Sequence, residues 1–276
     1  MSLRINNNVA AINSYRNLSA TTDAMGKSLE KLSSGFRINR AADDAAGLVK
    51  SEKLRAEISG SKGAIKNAQD GVSFVQTAEG ALNEVHAILQ RMRELAVDAA
   101  NTATTDGVPQ QAEIDELLKE LDSIGSKSTF AGKKVFQNYG SAALTFHVGA
   151  GSSDTLAVSL DLGLTSADVF GATVTGINVK ASGGNASAAI ASLDAAIASV
   201  SSVRSSLGAT QNRLEHTINN LSVAVENLTA SESRIRDTDM AMEMTNFTRH
   251  QILTQAGTAM LAQANQAPQS VLALLR

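Results

Sequence analysis

The sequence predicts a mainly α chain: long helices of coiled-coil type forming a rod, with a small β-hairpin region. Three observations carry that expectation. Leu193, Val200, Leu207, Leu214, Leu221, Leu228, Ile235 and Met242 fall at unbroken seven-residue spacing, the mark of a helix in a left-handed supercoil. Pro occurs only at positions 109 and 268, so 1–108 and 110–267 are open to long helices. Between 140 and 184 glycine becomes frequent and charge sparse, a change to strand and turn texture.

In 1–34, Ala11, Tyr15, Leu18, Thr22, Met25, Leu29 and Leu32 recur at three- and four-residue steps, which predicts a first seam. From about 44 to 100 the seam continues through Leu54, Ile58, Ile65, Ala68, Val72, Val75, Leu82, Val85, Leu89, Met92 and Ala96. Phe74, Ala81, Ile88 and Leu95 widen it, so this helix should meet more than one neighbour. Thr105-Asp106-Gly107 marks a turn, and Pro109 opens a short helix through Ile114, Leu117, Leu118, Leu121 and Ile124, with Gly125 as its expected stop. Leu144, Phe146 and Val148, then Leu156, Val158 and Leu160, alternate on either side of the turn GAGSSD. This predicts a hairpin, with a third strand around ATVTGINV. At ~1.5 Å per residue, one helix from Leu193 to Met242 would span roughly 75 Å, too long for a compact domain.

Composition narrows the function. The net charge is −3, there is no Trp and aromatic residues are 3%, which disfavours nucleic acid and anionic membranes as partners. The absence of Cys excludes disulfides, thiolate metal sites and a Cys nucleophile. No apolar run reaches bilayer-spanning length, and MSLRINNNVAA lacks the apolar core of a cleaved secretory signal. Past His250 no ionisable residue follows until after Leu275, and Arg4 and Arg16 are the only charges before Asp23. Ends with apolar stripes and so little charge are expected to pair with each other and with other molecules.

The segment LSSGFRINRAADDAAGLVKSEKLR sets Asp43 beside Asp44, with Arg37 and Arg40 upstream. Adjacent helical residues point roughly 100° apart, so the two carboxylates do not share a proton. One of them is expected at the N-terminus of the following helix, where free N–H groups await a carboxylate, with Arg37 and Arg40 pairing with the acids. His86, His147, His216 and His250 lie scattered, without metal-ligand spacing. No G-x-S-x-G or Walker pattern is present. No catalytic residue, cofactor or metal site is expected, and the chain is not read as an enzyme.

LSSGFRINRAADDAAGL, NAQDGVSFVQTAEGALNEV and ILQRMRELAVDAAN resemble the N-terminal signature of bacterial flagellin. LGATQNRLEHTINNL, ENLTASESRIRDTDMA and ILTQAGTAMLAQANQ resemble its C-terminal signature. The resemblance covers about 1–135 and 190–276 in order, and implies a minimal flagellin with little or no outer domain. It implies a long antiparallel helical rod with both termini paired in a helical coiled coil: a terminal coiled-coil domain of 1–40 plus 236–276, a helical rod of 41–139 plus 185–235, and a short variable hairpin region at 140–184. Leu18, Met25, Leu29, Leu32, Leu207, Leu214, Leu221, Leu228 and Ile235 are the expected core and assembly positions. Arg37, Arg40, Asp43 and Asp44 match the junction between inner coil and rod.

The function implied is an extracellular, self-assembling filament subunit for swimming motility. Its implied partners are other copies of the chain, the flagellar type III export apparatus with an export chaperone, the filament cap and the hook-associated proteins. Gln90, Arg91, Leu95 and Glu113 match positions through which flagellins contact Toll-like receptor 5, and Asp98 stands where many members have Gln. The family pattern Thr-x-Phe-Asn-Gly is here Ser128-Thr129-Phe130-Ala131-Gly132, with Ala131 where Asn tolerates a left-handed turn. A hook–filament junction protein has similar ends, but QTAEGALNEV and QNRLEHTINNL favour flagellin. A secreted membrane-inserting protein would not need the heptads or the Asn- and Gln-rich ends. A flagellin carrying a protease in its middle has no metal motif here to support it.

Overall fold

Helices account for most of the computed structural model, which describes residues 8–101, 106–136, 144–158, 177–179 and 186–274. The elements run α1 (Val9–Ser34), α2 (Ala45–Ala99), α3 (Val108–Lys127), β1 (Thr129–Phe130), β2 (Lys133–Lys134), β3 (Leu144–His147), β4 (Thr155–Val158), α4 (Ala186–Arg236) and α5 (Met240–Leu274). The chain divides into two units, one of 1–56 with 227–276 and one of 57–226.

In the 57–226 unit, α2, α3 and α4 bury one continuous core. Leu82, Val85, Leu89 and Met92 of α2, Ile114 and Leu121 of α3, and Leu193, Val200 and Leu207 of α4 are all sealed from solvent. Each such side chain removed from water contributes about 1.5–3 kcal/mol before ordering entropy is subtracted. The wider face of α2 explains the extra neighbours. Phe74 meets Phe130 edge-on at 5.8 Å and Phe146 at 5.9 Å, tying both hairpins to α2. The second hairpin pairs Leu144 with Val158 and Phe146 with Leu156, and Asn67 Nδ2 donates to the His147 carbonyl at 3.0 Å. Leu214, Ala68 and Leu156 form a smaller apolar cluster beside it.

Two features of this unit depart from the sequence reading. Gly125 does not stop α3, which runs on to Lys127 with Gly125 buried inside it. Of the expected third strand, only 177–179 are described, and they fall in no strand; the rest lies outside the described residues. Instead the side-chain amide of Gln111 does the work of a strand neighbour. Its Nε2 donates to the Ile177 carbonyl at 3.1 Å, and its Oε1 accepts from the Val179 N–H at 2.8 Å.

In the unit of 1–56 and 227–276, α1 and α5 pack antiparallel. Asn8 reaches the Ala264 carbonyl, Leu18 lies against Gly257, and Phe36 bridges to Asp237. Asn8 caps α1 by accepting from the Ala11 N–H at 3.1 Å. Gly35, at φ 74°, ends the helix in the left-handed conformation, which only glycine adopts without steric cost.

The seam of α1 runs through Ala11, Ser14, Leu18, Thr21, Met25, Ser28 and Leu32, and Ser28 is buried. The expected alternate positions Tyr15, Thr22 and Leu29 face outward instead, Leu29 at 57% exposure and Tyr15 at 65%. Bulk misled the reading: small side chains let the two helices approach, and the larger apolar ones are left outside.

The unbroken helix expected from Leu193 to Met242 is interrupted. Residue α4 ends at is Arg236, and Asp239 starts α5 by accepting from the Ala241 and Met242 N–H groups. The seven-residue pattern crosses this break by coincidence of spacing, and Met242 is exposed. One further expectation is amended. An 18-residue stretch of α4 has a mean hydropathy of 1.5, enough by length and composition to cross a membrane. Its helix is rich in Ala and Ser; Leu193 and Val200 are buried in the core, and Ile190, Ile197 and Val203 are partly buried against it.

Candidate functional site

The junction segment 35–44 is held by backbone and side-chain bonds together. The Arg37 N–H donates to the Arg236 carbonyl at 2.6 Å, and the Thr238 N–H to the Gly35 carbonyl at 2.9 Å. The Arg37 guanidinium donates to the Ile235 carbonyl. Asp43 Oδ2 accepts from the Asn39 and Arg40 N–H groups at 3.1 and 2.9 Å. Those two N–H groups, Arg40 first, hold its carboxyl below the usual carboxylate range.

Asp44 caps α2. Its Oδ1 accepts from the Gly47 N–H at 2.8 Å, and its carbonyl accepts from Leu48 at 2.9 Å. A Cβ at Gly47 would lie 2.8 Å from Ile38 Cδ1, so the cap requires glycine there. Ile38 itself is buried beneath the loop.

The expected pairing of Arg37 and Arg40 with the two acids is corrected. Arg37 turns to a carbonyl, Arg40 pairs with Glu30 at 2.9 Å, and the acids take N–H groups. Backbone donors sit at fixed positions within the turn, whereas a long exposed side chain loses rotamer freedom to reach the same oxygen.

Beside the loop, the last turns of α4 and the first turns of α2 carry charges in alternation. Arg236 Nη1 lies 2.7 Å from Glu52, Arg55 Nε lies 3.4 Å from Glu232, and Arg55 also approaches Glu52 at 3.8 Å. The Arg236 guanidinium stacks over Phe36 at 5.0 Å and is largely buried. That contact gains from the ring quadrupole as well as from packing. Among the described residues no three His, Asp or Glu side chains gather as a metal set.

Comparison with known proteins accounts for a chain built this way. Residues 5–141 match the bacterial flagellin N-terminal helical region, and residues 190–275 match the bacterial flagellin C-terminal helical region. The chain belongs to the bacterial flagellin family. It is 49% identical to flagellin of Bacillus subtilis strain 168 over 304 residues, covering 99% of this chain and 100% of that one. It is also 49% identical to flagellin of Halalkalibacterium halodurans over 275 residues, 99% of each. With the flagellar filament 33 kDa core protein of Treponema phagedenis it shares 45% identity over 291 residues, again 99% of each.

In this flagellin the positions matched to a receptor face do not all reach the surface. Arg91 Nε pairs with Glu113 at 2.9 Å and Arg91 Nη1 with Glu94 at 3.2 Å. Glu113 first, then Glu94, raises the guanidinium's affinity for its proton. Gln90 is exposed and lies 3.0 Å from His86 Nε2. Leu95 is the correction: it is buried in the core, on the widened apolar face of α2. Asp98 accepts from Gln110 Nε2 at 2.7 Å.

Of the expected core positions, Leu207 and Leu214 are buried, whereas Leu18, Met25, Leu32, Leu221, Leu228 and Ile235 are half-buried. Leu29 has no core role within the chain.

Ala131 adopts φ 50°, the one non-glycine residue at positive φ among those described, and Gly132 follows at φ 80°. Together they make the turn of the β1–β2 hairpin. Sequence reasoning missed Arg236, Glu52, Glu232 and Ile38. The signal for the first was the dense alternation of charge in SRIRDTD; Ile38, a lone apolar residue in a polar loop, gave little.

Proposed function

We propose that this flagellin is an extracellular subunit that polymerises into the flagellar filament, and that α1 and α5 are its assembly device. The carrying observation is the surface of α5. Among the described side chains of α5, the half-buried ones, Phe247, His250, Thr254, Gly257 and Leu261 among them, lie on the side turned to α1. Met240, Met242, Met244, Ile252, Leu253 and Met260 are exposed around the rest, and Met244, Ile252 and Leu253 line an open groove of about 500 Å³. Large apolar side chains on both flanks of a helix and on its far side require more cover than one partner helix supplies. A second copy offers that cover through a head-to-tail contact that propagates rather than closes.

On this reading 1–40 with 236–276 form the inner coil, 41–139 with 185–235 the rod, and 140–184 a short side region. Arg37, Arg40, Asp43 and Asp44 hold the junction. The chain's part is structural, without catalysis, and the names of its relatives, flagellins and filament core proteins, favour the filament over the hook–filament junction. The flagellar export apparatus and its chaperone, the filament cap and the hook-associated proteins follow as partners from the family. So does Toll-like receptor 5, met through Gln90, Arg91 and Glu113.

Electron microscopy of the purified full chain at rising concentration tests the main reading. Long homopolymers are expected; short collars would indicate the junction protein, and leakage of liposomes by the monomer would indicate membrane insertion. For the receptor, Arg91→Ala should weaken signalling by the monomer severalfold in a reporter-cell assay. Equal potency of the two proteins would remove this face from the proposal.

A further inference from the structure

Sulfur in this chain is confined to methionine, since it has no cysteine. Of the described methionines, Met92 is sealed in the α2 core and Met25 is half-buried at the α1 seam. The other four, Met240, Met242, Met244 and Met260, all lie on α5 and are 47–66% exposed. Their placement follows the seam. With roughly 100° of turn per residue, Met240 and Met244 fall on one flank of the face that meets α1, and Met242 and Met260 on the other. Three of the four are packed into five residues at the start of α5, and Met244 borders the open groove beside Ile252 and Leu253.

We infer that these four thioethers are an oxidation site that controls assembly: peroxide reaching the unassembled chain converts them to sulfoxides, and the modified α5 no longer polymerises. The sulfur lone pair attacks one oxygen of hydrogen peroxide, the S–O bond forms as the O–O bond breaks, and the departing hydroxide takes the remaining peroxide proton to leave as water. Sulfur loses two electrons and the peroxide gains them. An unbranched, polarizable, apolar side chain suits an adaptable helix contact, and the sulfoxide replaces it with a strong dipole lacking a donor on that surface. Met92 is protected because oxidant does not reach a closely packed interior. The inference rests on the reading of α5 as the assembly surface.

The test treats the full, unassembled chain briefly with hydrogen peroxide, maps sulfoxide by peptide mass spectrometry and measures sedimentable polymer. Sulfoxide is expected at Met240, Met242, Met244 and Met260 while Met92 stays unmodified, with a severalfold loss of polymer. Methionine sulfoxide reductases acting on both epimers, with a thiol reductant, should restore assembly. A variant carrying Met240→Leu, Met242→Leu, Met244→Leu and Met260→Leu should yield the same polymer with and without peroxide, each level read against that variant's own untreated sample, and the reductase arm decides the matter if the variant assembles poorly from the start. Equal sulfoxide at Met92, or undiminished assembly by the oxidised chain, overturns the inference. An untreated chain that never sediments counts against the filament reading instead, while the mass map still decides whether the site is selective.

Discussion

Along α2 and α4 the inward positions are large and closed: Leu82, Leu89, Met92, Leu193 and Leu214 have no exposed surface at all. Along α1 and α5 the inward positions are mostly small or polar, including Ser14, Thr21, Ser28, Thr254 and Gly257, whereas Tyr15, Leu29, Ile252 and Met260 stand in solvent. Both pairs repeat at three- and four-residue steps. Periodicity therefore says that a helix has a preferred side, and residue size says whether that side is finished within one chain. The 57–226 unit completes its core with its own residues; the terminal pair is only half covered, as an element awaiting further copies should be.

Removing the terminal pair gives the sharpest break between the two. A variant of residues 41–235 should remain helical by circular dichroism, with its core intact, and yield no sedimentable polymer where the full chain does. Filaments from that variant would move the assembly contacts into the 57–226 unit.

A matched pair of leucine substitutions comes next in size. Leu214→Ala opens a cavity beside Ala68 and Leu156 and should cost about 2–5 kcal/mol in denaturant unfolding. Leu29→Ala, at an exposed site, should change monomer stability by no more than about 0.5 kcal/mol yet reduce assembly. Similar unfolding costs for the two would erase the contrast.

Ala131→Gly should stabilise the 57–226 unit by about 1 kcal/mol, since alanine at φ 50° carries a steric cost that glycine does not. Thermal unfolding reads the gain, and a loss would mean that the turn relaxes another way.

The smallest effect is electrostatic and belongs to the terminal unit. Asp43 titrates lower when folded than when unfolded, so its contribution is present above the unfolded pKa and disappears as pH falls through the folded one. Asp43→Asn should accordingly flatten the acid side of the melting-temperature profile. An acid limb unchanged by the substitution would assign it to other carboxylates.

Most helices and the second hairpin were legible because their signals are local. Leu144, Phe146, Leu156 and Val158 alternate at the strand period, and the α2 and α4 leucines repeat at the helix period. The junction was legible in part: Asp44 stands where a helix start needs a carboxylate. That Asp43 would take N–H groups, and that Arg40 would reach Glu30, depended on the path of the loop. The period of α2 already set Leu95 on its widened apolar face, where it is buried; the receptor match at that position came from the resemblance and not from the period.

By itself the sequence determined which segments are helical, where the hairpin turns, and that the ends carry apolar surface with almost no charge, because these follow from propensity, spacing and composition within a few residues. Tertiary structure alone decided the register of the α1 seam, where close approach to α5 favours Ser28 over Leu29, and the break at 237–239, where Phe36 bridges to Asp237 and Asp239 caps a new helix. It also decided the left-handed turn at Ala131, whose steric cost is borne because Phe130 and Val135 on either side of the turn are held in the core. In each case the deciding neighbour comes from another element, and local pattern carries no record of the distance between elements.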